Sequence, residues 1–230
     1  MSTETIIRQL TPSVCIFSRP FKRFGILPVG GRSTAVKLRN GDIWVLASTT
    51  LDEPTKAKID EMGNVKYIVA ADAEHDSFLS EFTKAYPAAH LIGVEPLAKK
   101  RTDLHFHGAY GKDPEGTKYG YEPEIEACYF PETPNSDVAF FHAESKSLIE
   151  ADLLWNLKGS SPSLFSLNFD PDSTLHKKFA QFATSDKAAT KILAQRVAQW
   201  DFDRIIPCHG EVIETGGKNA WKAAYEAFFK

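Results

Sequence analysis

Tyr67-Ile-Val-Ala-Ala-Asp-Ala-Glu-His-Asp76 is an apolar run that ends in a short acidic turn. Residues 67–70 have the bulk and apolarity of a buried strand. The turn carries an adjacent imidazole and carboxylate, His75 and Asp76, and an amphipathic segment from Ser77 to Tyr86 follows. In that segment Phe78, Phe82, Ala85 and Tyr86 fall at helical spacing, and Pro87 ends it. A strand that stops at neighbouring metal-ligand side chains just before a helix is a place where a cation can be held. The same dipeptide also reads as a helix cap and a solvated pair, with Asp76 itself a candidate N-cap.

Working outward, Ser13 to Phe17 and Thr34 to Leu38 read as strands, Asn40-Gly41 as a hairpin turn, and Ile43 to Ala47 as the return strand. Glu53 to Met62 reads as a helix, with Asp52 as its N-cap, Pro54 in its first turn and Gly63 as its stop. Leu91 to Val94 adds a strand and Glu95 to Arg101 a short helix, an alternation that implies a layered α/β architecture. Residues 108–121, rich in glycine and broken by Pro114, read as a long turn-rich loop. A meander of strands follows at Ile125 to Phe130, Val138 to His142 and Ser147 to Ala151. After a Ser/Pro-rich loop from Gly159 to Phe169, helices are expected at 174–182 and 186–200. A last strand spans Asp203 to Ile206, and an apolar-faced helix runs from Ala220 to Phe229. Without an internal repeat or linker, one domain over residues 1–230 is expected.

Composition narrows the function classes. The formal net charge is −3, which argues against a non-specific nucleic-acid binder. Cys15, Cys128 and Cys208 are scattered, and an odd count without Cys-x-x-Cys spacing suggests reduced thiols and a cytoplasmic protein. No apolar run approaches the roughly 20 residues of a membrane span, and the N-terminus lacks the pattern of a secretory signal.

Four positions stand at the ends of expected strands: His75-Asp76, Glu132, Asp152 and His209. Two imidazoles and carboxylates of this kind suit Zn²⁺, Fe²⁺ or Mn²⁺. Glu132 reads better as a rim charge, and Asp152 and His209 have ordinary cap and loop readings beside the ligand one. His105 and His107 are two apart and would share one face of a strand, an ordinary half-exposed strand being the simpler reading. His142 and His176 are read the same way. Gly30-Gly31 lacks a Walker lysine or dinucleotide fingerprint and reads as a turn near the mouth of the site. Cys208 beside His209 is no dyad, because neighbours on a backbone rarely face one another.

The order of elements, together with Ala-Asp-Leu-Leu at 151–154 and Ile-Ile-Pro-Cys-His-Gly at 205–210, is similar to the metallo-β-lactamase superfamily. The likeness runs from about Ser33 to Gly210. It implies an αββα four-layer sandwich, with residues 71–76 standing where the family has His-x-His-x-Asp-His. The family's first metal takes two histidines of that motif and one from a later turn. Those places are Ala71, Ala73 and Glu132 here, so the resemblance implies that the first site is lost. The second metal's places read His75, Asp76, Asp152 and His209, with Asp-His exchanged for His-Asp.

The resemblance therefore implies one divalent cation, zinc first, with iron or manganese as alternatives. The activity expected from it is hydrolysis of an ester, lactone or thioester of a small molecule, with Asp76 or Asp152 orienting or deprotonating the bound water. By composition, Phe21, Phe24, Trp155, Phe165 and Phe169, near expected loop rims, suggest an apolar or aromatic substrate. A catalytically inactive small-molecule-binding protein that kept the fold without metal is the alternative, and a purely structural role is a third.

Overall fold

A computed structural model describes residues 4–23, 25–157 and 168–230. Its backbone divides into two compact units, Met1–Glu124 and Ile125–Lys230.

The first unit is built on a seven-stranded sheet. Its antiparallel half comprises β1 (Ile6–Thr11), β2 (Val14–Arg19), β5 (Gly31–Lys37) and β6 (Asp42–Leu46). A two-stranded ribbon, β3 (Lys22–Arg23) and β4 (Leu27–Pro28), lies between β2 and β5 in the chain. The hairpin joining β5 and β6 turns at Asn40-Gly41, where the Asn40 carboxamide accepts from the Asp42 N–H and φ of Gly41 is +88°.

Beyond β6 the sheet becomes parallel, through β7 (Asn64–Val69), β8 (His90–Val94) and β9 (Gly108–Tyr110). Parallel neighbours need crossover connections. Helices α1 (Glu53–Met62), α2 (Leu79–Ala85) and α3 (Glu95–Lys100) lie in these crossovers. Helix α1 matches its sequence expectation because its signals are local. The Asp52 carboxylate accepts from the Thr55 N–H at 3.1 Å, Pro54 sits in the first turn and Gly63 ends it.

The second unit carries a four-stranded sheet of β10 (Ile125–Phe130), β11 (Asp137–His142), β12 (Ser147–Glu150) and β13 (Arg204–Pro207), in that order. The first three form an antiparallel meander, and β13 pairs parallel with β12. Helices α4 (Thr174–Phe182), α5 (Lys187–Gln199) and α6 (Gly217–Ala224) complete the unit. Ser173 caps α4 through the His176 N–H, and Asp186 caps α5 through Ala188 and Ala189. Val197, Phe202, Ile205, Trp221 and Phe228 pack into one buried cluster, and the Trp221 indole donates to the Ala194 carbonyl at 3.0 Å. The closing helix is shorter than the sequence suggests, ending at Ala224 with a separate 3-10 turn at Glu226–Phe228.

Four strands escape the sequence pattern. β1 is mostly exposed, β3 and β4 have two residues each, and β9 opens on Gly108 inside the glycine-rich stretch. Leu104 to His107 is irregular rather than a strand. His107 there stacks on His90 at 4.6 Å between ring centres and accepts the Leu91 N–H at Nδ1, so the strand reading of His105 and His107 is corrected. No helix among the described residues is long and apolar enough to cross a membrane.

Candidate metal centre

In the first unit the motif turn follows the carboxyl end of β7, the end of a parallel strand at which α/β proteins commonly place ligands. Its organiser is Asp72, a side chain with no solvent exposure. Asp72 Oδ1 accepts from the Glu74 N–H at 2.9 Å and the His75 N–H at 2.8 Å. Its Oδ2 lies 2.7 Å from His75 Nδ1. Burial works to raise the Asp72 carboxyl, but the His75 ring and the N–H groups of His75 and Glu74 outweigh it and hold the group below its ordinary value. Two backbone N–H groups and the His75 ring thus converge on one buried carboxylate.

Asp76 leaves the same turn in another direction. Its carboxylate lies 3.4 Å from Lys100 Nζ and 3.7 Å from Arg101 Nη1. It does not cap α2, whose N-cap is Phe78 with no side-chain hydrogen bond. The two alanines of the motif also differ in setting: Ala71 is buried and Ala73 half-buried. Neither has a donor atom.

In the second unit, strand register brings two expected ligands together. β12 and β13 run parallel with Ser147 opposite Arg204 and Glu150 opposite Pro207. Two residues further along each chain come Asp152 and His209, which the same offset sets side by side. Asp152 Oδ1 lies 3.4 Å from His209 Nε2, and both side chains are almost fully buried. Two donors each about 2.1 Å from a tetrahedral zinc lie about 3.4 Å apart, so this spacing suits two ligands of one ion.

Surrounding groups fix the pair. Asn135 Nδ2 donates to Asp152 Oδ2 at 2.7 Å, and Asp137 Oδ1 accepts the Asp152 N–H at 3.2 Å. The Trp155 ring lies 4.7 Å from that of His209. Trp155 is in turn held through its backbone N–H, which donates to His176 Nε2 at 3.1 Å. Gly210 has φ +81°, and a Cβ there would stand 2.3 Å from the Asn156 carbonyl oxygen, so only glycine lets the chain turn directly after His209. Burial pushes the Glu150 carboxyl well above its ordinary range, with Asp137 and Asp152 adding to the effect.

Other sequence candidates take structural places. Glu132 accepts from the Ser185 hydroxyl at 2.5 Å through Oε2 and from the Ser185 N–H at 2.9 Å through its carbonyl, which ties it to the turn before α5. His142 is buried, with Nδ1 2.8 Å from Ser145 Oγ. Gly30 has φ +69° in the turn that opens β5, and the Cys208 thiol is buried. Of the aromatic residues, Phe21 is exposed, whereas Trp155 and Phe169 pack on one another at 5.6 Å. Phe24, Phe165 and most of the Ser/Pro-rich loop lie outside the described residues.

Asp72 and Asn135 went unread in the sequence. An acid three residues before a histidine in a tight turn was the available signal for Asp72. Asn135 stands in Glu-Thr-Pro-Asn-Ser, where attention falls on Glu132.

No protein-family model matches the chain, and no curated protein matches it in sequence. Solved structures do. A metallo-β-lactamase from Erythrobacter litoralis with β-mercaptoethanol in its active site is 14% identical, with a TM-score of 0.67 over 100% of this chain and 98% of that one. A metallo-β-lactamase from Pontibacter korlensis is 15% identical, with a TM-score of 0.65 over 99% and 100%. The metallo-β-lactamase FIM-1 from Pseudomonas aeruginosa in its mono-zinc form is 14% identical, with a TM-score of 0.63 over 99% and 97%. Matches this complete in length at such low identity speak to architecture, and the chain has the metallo-β-lactamase fold, the αββα class that its sequence implied.

Proposed function

We propose that the whole chain works as one metallo-β-lactamase-like domain, a hydrolase using a single divalent cation, zinc first, on an ester, lactone or thioester of a small molecule. The observation that carries this reading is the 3.4 Å spacing of Asp152 Oδ1 and His209 Nε2. Asp152 and His209 of the second unit are two ligands of the proposed ion, and the resemblance supplies His75 of the first unit as the third. Two histidines and a carboxylate suit Zn²⁺ and also Fe²⁺ or Mn²⁺.

When bound, a cation of this kind supplies hydroxide near neutral pH and polarises a carbonyl oxygen. The chain's own part is orientation. Asn135 holds Asp152 Oδ2, which keeps Oδ1 beside His209 and places a carboxylate where it can take a proton from water. Trp155 covers one side of the His209 ring and makes that side apolar. Asp76, expected from the sequence as ligand and base, has its carboxylate beside two cations, so the proposal gives the base role to Asp152. With alanine at 71 and 73 the motif lacks the two histidines that the resemblance assigns to a second ion, which favours carbonyl chemistry over a two-metal clamp on a phosphodiester. The acidic balance of the chain keeps nucleic acid outside the proposal, and its buried thiols suit a reducing, cytoplasmic setting.

Elemental analysis of protein purified without added metal tests the reading, followed by activity against 4-nitrophenyl acetate, a simple lactone and an acyl thioester. About one equivalent of zinc or iron, lost in both His209→Ala and Asp152→Ala, together with turnover of one substrate, is the expected result. Metal-free protein that rejects added zinc would instead support the second reading, a small-molecule-binding protein without catalysis. The absence of donors at Ala71 and Ala73 favours that alternative.

A further inference from the structure

We infer that Asp72 is the positioning residue of the proposed centre: its carboxylate fixes His75 as the Nδ1–H tautomer and so makes Nε2 the ligand nitrogen. The inference deepens the single-cation reading and rests on it for the ligand role of His75.

A neutral imidazole carries one proton, and the partner of one nitrogen decides which nitrogen keeps a lone pair. Asp72 has two acceptor oxygens and, when ionised, no proton to give. Oδ1 already accepts two backbone N–H groups of the turn, from Glu74 and His75. Oδ2 therefore faces the ring, and the 2.7 Å contact with Nδ1 is a donor–acceptor pair only if Nδ1 bears the hydrogen. Ring rotation is restrained as well, because the carboxylate that receives Nδ1–H also receives the His75 N–H. Main chain and side chain of one residue are thereby locked to a single acid. The arrangement is local, i to i+3 within one turn, and Asp72 has no solvent exposure to let water compete. Carboxylates that receive the second N–H of a ligating histidine set its orientation and raise its basicity, and losing one commonly lowers metal affinity 10- to 100-fold.

The turn also explains how an exchanged Asp-His order is tolerated. An imidazole at residue 75 reaches further from the backbone than an aspartate would, and it needs a restraint that a shorter side chain does not. Asp72 supplies that restraint from within the motif.

The test is ¹⁵N NMR of the imidazole nitrogens above neutral pH in metal-free protein, with His75 assigned by comparison with His75→Gln, combined with zinc titration of wild type and Asp72→Asn. The expected wild-type spectrum shows His75 as Nδ1–H. In Asp72→Asn the carboxamide can keep its oxygen on the backbone N–H groups and turn its NH₂ to Nδ1. His75 should then move to the Nε2–H form, and zinc affinity should fall 10- to 100-fold. A wild-type His75 found as Nε2–H overturns the inference without any variant. So does an Asp72→Asn protein that keeps the Nδ1–H form or binds zinc as tightly as wild type. If wild type shows the expected tautomer but takes no zinc, the single-cation reading fails and the ligand role inferred here falls with it, while Asp72's hold on the tautomer stands.

Discussion

Arg101 donates from Nη1 to the backbone carbonyl of Asp76 at 2.9 Å, so the residue after α3 holds the end of the motif turn after β7. The same guanidinium reaches Ser80 Oγ at 2.7 Å and pairs with Asp103 through Nε and Nη2. One planar cation thus joins the turn, the first turn of α2 and the segment after α3. Asp103 and Asp76 raise the Arg101 pKa further, which keeps it charged at any working pH. Truncation to Arg101→Ala should cost about 1–2 kcal/mol, since charge-assisted hydrogen bonds are lost but the group is partly solvated. Amide hydrogen exchange should accelerate at residues 72–77 more than in α1. Uniform protection across both segments would show that the turn holds itself.

Asn135 is the second restraint open to test. Its carboxamide donates to Asp152 Oδ2 at 2.7 Å. Asn135→Ala should leave Asp152 able to rotate away from His209 and lower zinc affinity by about 10-fold or more, as outer-shell losses do. Thermal stability of the metal-free protein should fall as well, because a buried carboxylate loses a charge-assisted hydrogen bond, so affinity is compared on protein shown to be folded. Unchanged affinity by competition with a chromogenic chelator would remove Asn135 from the site.

These residues mark where sequence reading stops. Asp52 and its helix were legible because a cap, its Thr55 partner and Pro54 lie within four residues. Asp152 and His209 were legible as strand ends, yet their pairing depends on the parallel register of β12 and β13, set by packing across the unit. Asp72 was hidden for the opposite reason. A lone acid between two alanines has the composition of a solvated turn, and only burial turns it into an organiser. The cations beside Asp76 were not legible either, because Lys100 and Arg101 stand two dozen residues further along the chain.

Backbone geometry beside His209 gives a third prediction. Gly210→Ala would force a Cβ to within 2.3 Å of the Asn156 carbonyl at a φ of +81°. The Glu211 N–H also bonds to that carbonyl at 2.9 Å, so the strand end cannot shift without breaking a second contact. Strain and displacement together should destabilise the protein by about 2 kcal/mol or more. Urea unfolding provides the measurement, and a loss under about 0.5 kcal/mol would mean that the turn after β13 adapts freely. Zinc affinity should fall with it, because His209 is the residue carried by the distorted turn.

His176 makes stability depend on pH in a defined window. Its ring is almost fully buried, Nε2 accepts the Trp155 N–H, and Nδ1 has no hydrogen-bond partner among the described residues. Burial depresses its pKa from the ordinary 6.5 to about 4. The folded protein therefore resists a proton that the unfolded chain accepts, and the unfolded state binds more protons between those values. Stability from this residue is complete above about pH 6.5 and is lost as pH falls towards 4, by an amount on the order of 3 kcal/mol. His176→Gln can still accept the Trp155 N–H through its amide oxygen but cannot titrate. Its unfolding free energy, followed by urea melts from pH 7 to 4, should fall less steeply than that of wild type. Parallel slopes would mean that His176 is protonated in the native state, with Trp155 held by something else.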